Sequence, residues 1–239
     1  MANEKKSFWE PANLRSLALI IGLVLAFRWT FFAPYHVPTA SMEPTVKVGD
    51  RLAALKFYYD IKVPFTNITL FNISEPERGD VILFDYPKDH DINFVKRVVG
   101  LPGDRLRVED DTLYVNGEPF TAITQEDRSI LNDIADQKEY KKLYLEDNGI
   151  KQYNVMYNMQ GYKNAFTQRF PADGEYVVPE GHLFGMGDNR DNSSDSRFWG
   201  AIPRKLIRGK LVRVLWSFYV PEGDTFPTVR FARFGSSLQ

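Results

Sequence analysis

The chain has no cysteine among its 239 residues, which excludes thiol catalysis, disulfides and thiolate metal sites. Histidine is scarce as well. His36, His90 and His182 are scattered without HExxH or paired spacing. No histidine-based metal site is therefore expected, and no cofactor. An excess of one charge is also missing: 30 Lys and Arg stand against 31 Asp and Glu, a formal net charge of −1. That argues against a nucleic-acid partner held by bulk electrostatics. No internal repeat or low-complexity tract is visible.

What is present suits a folded protein. Hydrophobic residues make up 44% and charged residues 26%, and the length can bury a substantial core. The 18 Phe and 12 Tyr lean towards β structure or a surface that meets lipid.

One apolar run approaches membrane length. Residues 1–15 are polar and carry Lys5, Lys6 and Arg15, whereas Ser16 to Phe27 holds no charge. Continuing to Ala33 gives 18 residues with Arg28 as the single charge, near the lower limit for a span. Arg28 can snorkel from the far end, and Trp29, Phe31 and Phe32 read as an interfacial aromatic belt before Pro34 stops the helix. Two plainer readings compete, a cleavable secretory signal and a buried core helix. Cleavage after Ala40 would put Pro38 at −3, and cleavage after Ala33 would put Phe31 there; neither is an A-x-A site. The basic flank and aromatic exit argue against a core helix. The expectation is a cytoplasmic tail over 1–15, an uncleaved single-pass anchor over 16–33 and a β domain over 34–239.

Beyond Pro34 the texture is short strands and turns. Asp80 to Tyr86 and Asn93 onward read as strands, the second running into a Pro-Gly turn. RLRVEDDTLYVNGEPF holds two strand-like runs closed by Asn116–Gly117. EYVVPEGHLFGMGD and KLVRVLWSFYV supply later strands. Residues 124–170 are charged with mixed periodicity, and read as an insertion of one helix or exposed hairpins on a mainly β body.

Three constellations carry chemistry. In PTASMEPT, Ser41 sits between prolines that stiffen its loop, a suitable setting for a nucleophile; the plain reading is a Ser/Thr/Pro loop leaving a helix. A serine hydroxyl needs a base, yet there is no GxSxG elbow and no convincing His/Asp pair. In Phe94-Val95-Lys96-Arg97-Val98 the strand period puts Lys96 on one face with Phe94 and Val98. Burial there would drive its pKa well below the usual ~10.4 and make it a base near neutral pH. An edge-strand lysine guarding against aggregation fits the same pattern. The third, GDNRDNSSDSRFWG (Gly187 to Gly200), fails as a calcium loop because Ser196 stands at position six and Ile202 at position twelve. It suggests instead a satisfied polar network holding an amine in place.

With these residues in view, the chain resembles the bacterial type I signal peptidases. PTASMEPT, RGDVILF (Arg78 to Phe84), KRVVGLPGD (Lys96 to Asp104) and GDNRDNSSDSRFWG occur in the family's order. Only the stretch between about 124 and 170 finds no matching motif. The resemblance implies a Ser/Lys dyad serine endopeptidase on the family's β fold, working on the outer, periplasmic side of the bacterial inner membrane. Ser41 would be the nucleophile, Lys96 the general base, and Ser193 the residue that orients the lysine. Asp195 and Arg197 would form a structural ion pair, and the Ser41 N–H with the Thr39 hydroxyl would form the oxyanion hole. Many relatives carry Ser at the Thr39 position. Tyr35, Val37 and Val95 would shape shallow pockets for the small side chains of an A-x-A site, with the substrate paired to strand edges. Implied partners are signal peptides of exported preproteins, membrane lipid and the secretion translocon. A self-cleaving SOS-type repressor and a catalytically dead β binder are the rivals.

Overall fold

The computed structural model describes residues 11–63, 66, 68–109, 112–134, 141–159, 174–220 and 226–238; side chains at 11, 12 and 27–33 are not described. Helix α1 spans Pro11–Phe31. It starts at a proline, whose missing N–H is harmless in a first turn. The strands are β1 (Phe32–His36), β2 (Asp50–Leu55), β3 (Asp60–Lys62), β4 (Thr69–Asn72), β5 (Val81–Tyr86), β6 (Asp89–Gly100), β7 (Arg105–Glu109), β8 (Thr112–Val115) and β9 (Glu118–Pro119). They continue as β10 (Thr121–Thr124), β11 (Lys141–Asp147), β12 (Gln152–Asn158), β13 (Tyr176–Val177), β14 (His182–Met186), β15 (Ile202–Pro203), β16 (Ile207–Tyr219) and β17 (Thr228–Val229), with a short α2 (Ser196–Trp199) after β14.

The principal sheet runs β1-β2-β16-β5-β6-β14-β15, with β17 beside β16. Smaller sheets are β13-β7-β8-β9, β10-β11-β12 and the β3–β4 hairpin. The body is thus mainly β, as expected. In β5 the alternation splits two cores: Val81 and Leu83 join Val37, Met42, Val95 and Leu211, while Ile82 and Phe84 join Tyr59, Val98 and Ile202. A strand buried on both faces must be apolar throughout, which is why VILF contains no polar break. The Asn116–Gly117 turn joins β8 to β9, with Val115 opposite Glu118.

Two expectations need correction. The helix ends at Phe31, and Pro34 lies inside β1, where Ala33, Pro34 and Tyr35 face Ala54, Ala53 and Leu52. β1 is an edge strand, so a proline lacking an N–H costs no pairing on its open side. Among the described residues no helix is long and apolar enough to cross a membrane. Still, Leu17, Leu19, Ile20, Ile21, Leu23, Val24 and Leu25 are all exposed, so over residues 17–25 the helix is apolar around its circumference and uncovered.

The insertion contributes β11 and β12, which join β10 at its start in a three-stranded sheet, and it is not merely exposed. Leu131, Ile134, Leu143 and Met156 form their own core, and β12 bridges to Asn189. Residues 135–140 and 160–170 of that stretch, like the 1–10 part of the expected tail, lie outside the described residues.

Candidate active site

Ser41 lies in a single 3-10 turn, Ala40–Met42. Met42 is driven into the main core, and its carbonyl accepts from Val46 N–H at 2.9 Å, so burial of one side chain fixes the neighbouring hydroxyl. Thr39 precedes the turn in extended conformation, with Oγ1 3.5 Å from Ser41 Oγ.

Lys96 comes from the middle of β6. Its Nζ donates to Ser41 Oγ at 2.7 Å and lies 5.4 Å from the centre of the Phe94 ring, on the shared face the strand period predicts. Only 3% of the residue is exposed, which decides against an edge-guarding lysine. Gly185 on β14 makes this possible: a Cβ there would stand 3.1 Å from Lys96 Cβ and 2.8 Å from Ile202 Cδ1. Burial pulls the Lys96 pKa down to about 8, against the opposing pull of the Asp195 and Asp188 charges. An amine with that pKa is partly neutral near physiological pH and can accept a proton.

Behind the pair, Asp195 and Arg197 make the expected contact. Arg197 Nε and Nη2 each donate to Asp195 at 2.9 Å, and Nη2 also donates to Arg190 O at 2.6 Å. Burial pushes the Asp195 carboxyl up, but Arg197 and the Gly187 N–H outweigh it and hold the carboxyl below its usual range. Asp195 also caps α2. Ser193 Oγ is buried without a hydrogen-bond partner, so the expected bond to Lys96 is not formed here. A Cβ at Gly187 would collide with that Oγ and with the Ser41 carbonyl, so glycine is what lets the two serines approach.

Tyr35, Val37 and Val95 line one cavity of about 300 Å³ together with Thr39, Ser41 and Lys96. Val37 and Val95 belong to the core, and the Tyr35 hydroxyl donates to Asn93 O at 2.9 Å across the cleft. None of the three histidines lines it. Both walls offer strand edge: among the described residues β1 pairs only with β2, and β14 pairs with β6 only over Arg97–Gly100. Sequence reasoning missed Asn189, whose N–H donates to Ser41 O at 3.2 Å and whose Nδ2 donates to Ala40 O at 3.2 Å. It also missed the buried pair of Arg97 with Asp188. Nothing in a polar run says which Asn faces the nucleophile.

A hydroxyl held by a buried amine beside a small apolar cleft supplies the two groups that a serine hydrolase needs, without histidine or metal ligands in the pair. The chain belongs to the family "Signal peptidase, peptidase S26", whose model matches residues 12–216. It is 36% identical over 233 residues to signal peptidase I of Pseudomonas aeruginosa, covering 92% of this chain and 77% of the relative. To signal peptidase I of Aquifex aeolicus it is 37% identical over 228 residues, covering 86% and 84%. A crystal structure of a signal peptidase I from Enterococcus faecalis overlaps 59% of this chain and 99% of its own at 29% identity, with a TM-score of 0.36, too loose to bear on the fold. The chain is a serine endopeptidase, and its family membership supports signal-peptide removal as the activity.

Proposed function

We propose that this endopeptidase removes signal peptides from exported preproteins after A-x-A-like sites, with Ser41 as nucleophile and Lys96 as general base. The observation that carries the reading is the 2.7 Å contact between Ser41 Oγ and the amine of a lysine that is almost wholly buried. Neutral Lys96 takes the Ser41 proton as Oγ bonds to the scissile carbonyl carbon. The resulting oxyanion is held by the Ser41 N–H and the Thr39 hydroxyl. The Lys96 ammonium then gives its proton to the departing amine, the C–N bond breaks and an ester on Ser41 remains. Lys96 next deprotonates a water that attacks the ester, and the proton returns to Ser41 as the signal peptide leaves. Rotation of the unpartnered Ser193 hydroxyl would let it accept from the amine and aim it, while Asp195 and Arg197 keep that loop rigid. The substrate backbone enters as an extended strand between the open edges of β1 and β6, with small side chains resting over Val37, Val95 and Tyr35.

The exposed apolar surface of α1 between Leu17 and Leu25 supports the helix from residue 16 to its end at Phe31, not the strand residues Phe32 and Ala33, as a single-pass anchor in the bacterial inner membrane, since water does not favour so wide an apolar face. Residues 1–15 would be cytoplasmic and the catalytic domain, residues 34–239, periplasmic, beside lipid and the translocon. The test is cleavage of a preprotein by the purified chain beside Ser41→Ala, Lys96→Ala and their double variant. Each single should lose about 10⁴–10⁶-fold in kcat and the double little more, because the two act as one unit. Losses that multiply would refute the dyad.

A further inference from the structure

Loop 187–197 does more than carry Ser193 and Asp195. Asn189 holds the backbone on both sides of the nucleophile, through Ala40 O and Ser41 O, and it is wholly buried. Asn189 is held in turn by the insertion. Lys141 at the start of β11 donates to Asn189 Oδ1 at 3.3 Å and to Asn158 Oδ1 at 2.6 Å. The end of β12 runs beside the loop: Met156 N–H donates to Asp188 O at 2.9 Å, Arg190 N–H to Met156 O at 2.9 Å, and Asn158 N–H to Asp191 Oδ2 at 2.7 Å. Arg190 then reaches back and forms a fully buried bidentate pair with Glu146 of β11. Two strands of the insertion and the loop therefore form one hydrogen-bonded unit whose far side touches Ser41.

We propose that the β11–β12 hairpin is a positioning element for the nucleophile, with Lys141 and Asn189 as positioning residues that fix the Ala40–Ser41 backbone so that the hydroxyl meets Lys96. This rests on the dyad reading above. In the 3-10 turn carrying Ser41, Met42 is the one side chain buried in the core, and the turn follows an extended, exposed Thr39; Asn189 supplies two restraints on the nucleophile's own backbone. A Ser41 Oγ that drifts by an ångström loses its alignment with the amine, and the loss appears in turnover, since the pockets at Val37 and Val95 stay intact.

The experiment measures kcat, KM and melting temperature for the full chain and for Asn189→Ala, Lys141→Met, their double variant and Ser41→Ala, on one preprotein. Asn189→Ala should lower kcat about 10- to 100-fold, with KM within about twofold. Lys141→Met should do the same to a smaller extent and cost nothing further once Asn189 is alanine, because both act on one chain of contacts. If Asn189→Ala does not fold, Lys141→Met decides alone, as it leaves the loop sequence untouched. Normal kcat in folded variants, or effects of Lys141→Met and Asn189→Ala that multiply, would overturn the proposal while Ser41→Ala stays inactive. Full activity of Ser41→Ala would instead sink the dyad reading.

Discussion

Lys96 and Arg97 are consecutive residues of β6, both cationic and both buried, yet the strand delivers them to opposite settings. On the cleft side, Lys96 has Phe94 and a hydroxyl beside it, and among the described residues no carboxylate lies within ion-pair distance. On the other side, Arg97 makes two bonds to Asp188, at 2.8 and 2.7 Å, a third to Gly79 O at 2.8 Å, and stacks 3.9 Å from the Tyr153 ring of the insertion. The same depth of burial gives a cation that releases its proton readily and one that is locked as a strut. Depth does not separate the roles: a guanidinium keeps its proton whatever its burial, and Asp188 pairs it, whereas the lysine amine has no such partner and can lose its proton.

The comparison can be broken first on its loop side. Arg97→Met would leave Asp188 buried without its cation, and should destabilise the chain by about 3–5 kcal/mol, read from denaturant unfolding. A loss below about 1 kcal/mol would mean that the pair is dispensable to the fold. On the cleft side the effect should fall on catalysis. Thr39→Val and Thr39→Ala should each lower kcat by about 10²–10³-fold, with KM and melting temperature close to the parent, whereas Thr39→Ser keeps the donor and most of the activity. A normally active valine variant would make Thr39 packing only. The smallest effect has the opposite sign. Lys96→Met, though inactive, should raise stability at pH 7 by on the order of 1–3 kcal/mol, because it removes a cation from a site that penalises it. The folded chain holds the Lys96 proton less tightly than the unfolded chain does. Between pH about 8 and the ordinary value of 10.5 the unfolded state therefore binds more protons, and parent stability rises with pH. The advantage of Lys96→Met should be full below about pH 8 and vanish above about 10.5. An advantage independent of pH would assign it to packing.

The parts of the molecule that were legible in the sequence are those governed by short-range periods. The alternation in β5 and β6 fixes which face each residue takes, and with it the meeting of Lys96 with Phe94; Asn116–Gly117 marks its turn in the same way. The juncture at Phe32–His36 was misread because a proline that would stop a helix is also acceptable on an edge strand, and only the sheet order shows that β1 is an edge. Pairing of Ser41 with Lys96, 55 residues apart, came from the family's motifs and not from any local pattern. Lys141, Glu146 and Asn189 were illegible for a related reason. Each has a charged residue beside it, as an exposed position would, and what buries them is contact between β11, β12 and loop 187–197, which no local pattern encodes.

The central claim is that burial without an ion-pair partner makes Lys96 the base. The pH dependence of kcat/KM on a preprotein tests it most directly, since that ratio reports ionisations of the free enzyme. Only the neutral amine can take the Ser41 proton, so the ratio should rise about tenfold per pH unit at low pH and level off above about 8. A rising limb centred near the ordinary lysine value of 10.5, or one near 6.5 that disappears when a histidine is replaced, would contradict the account.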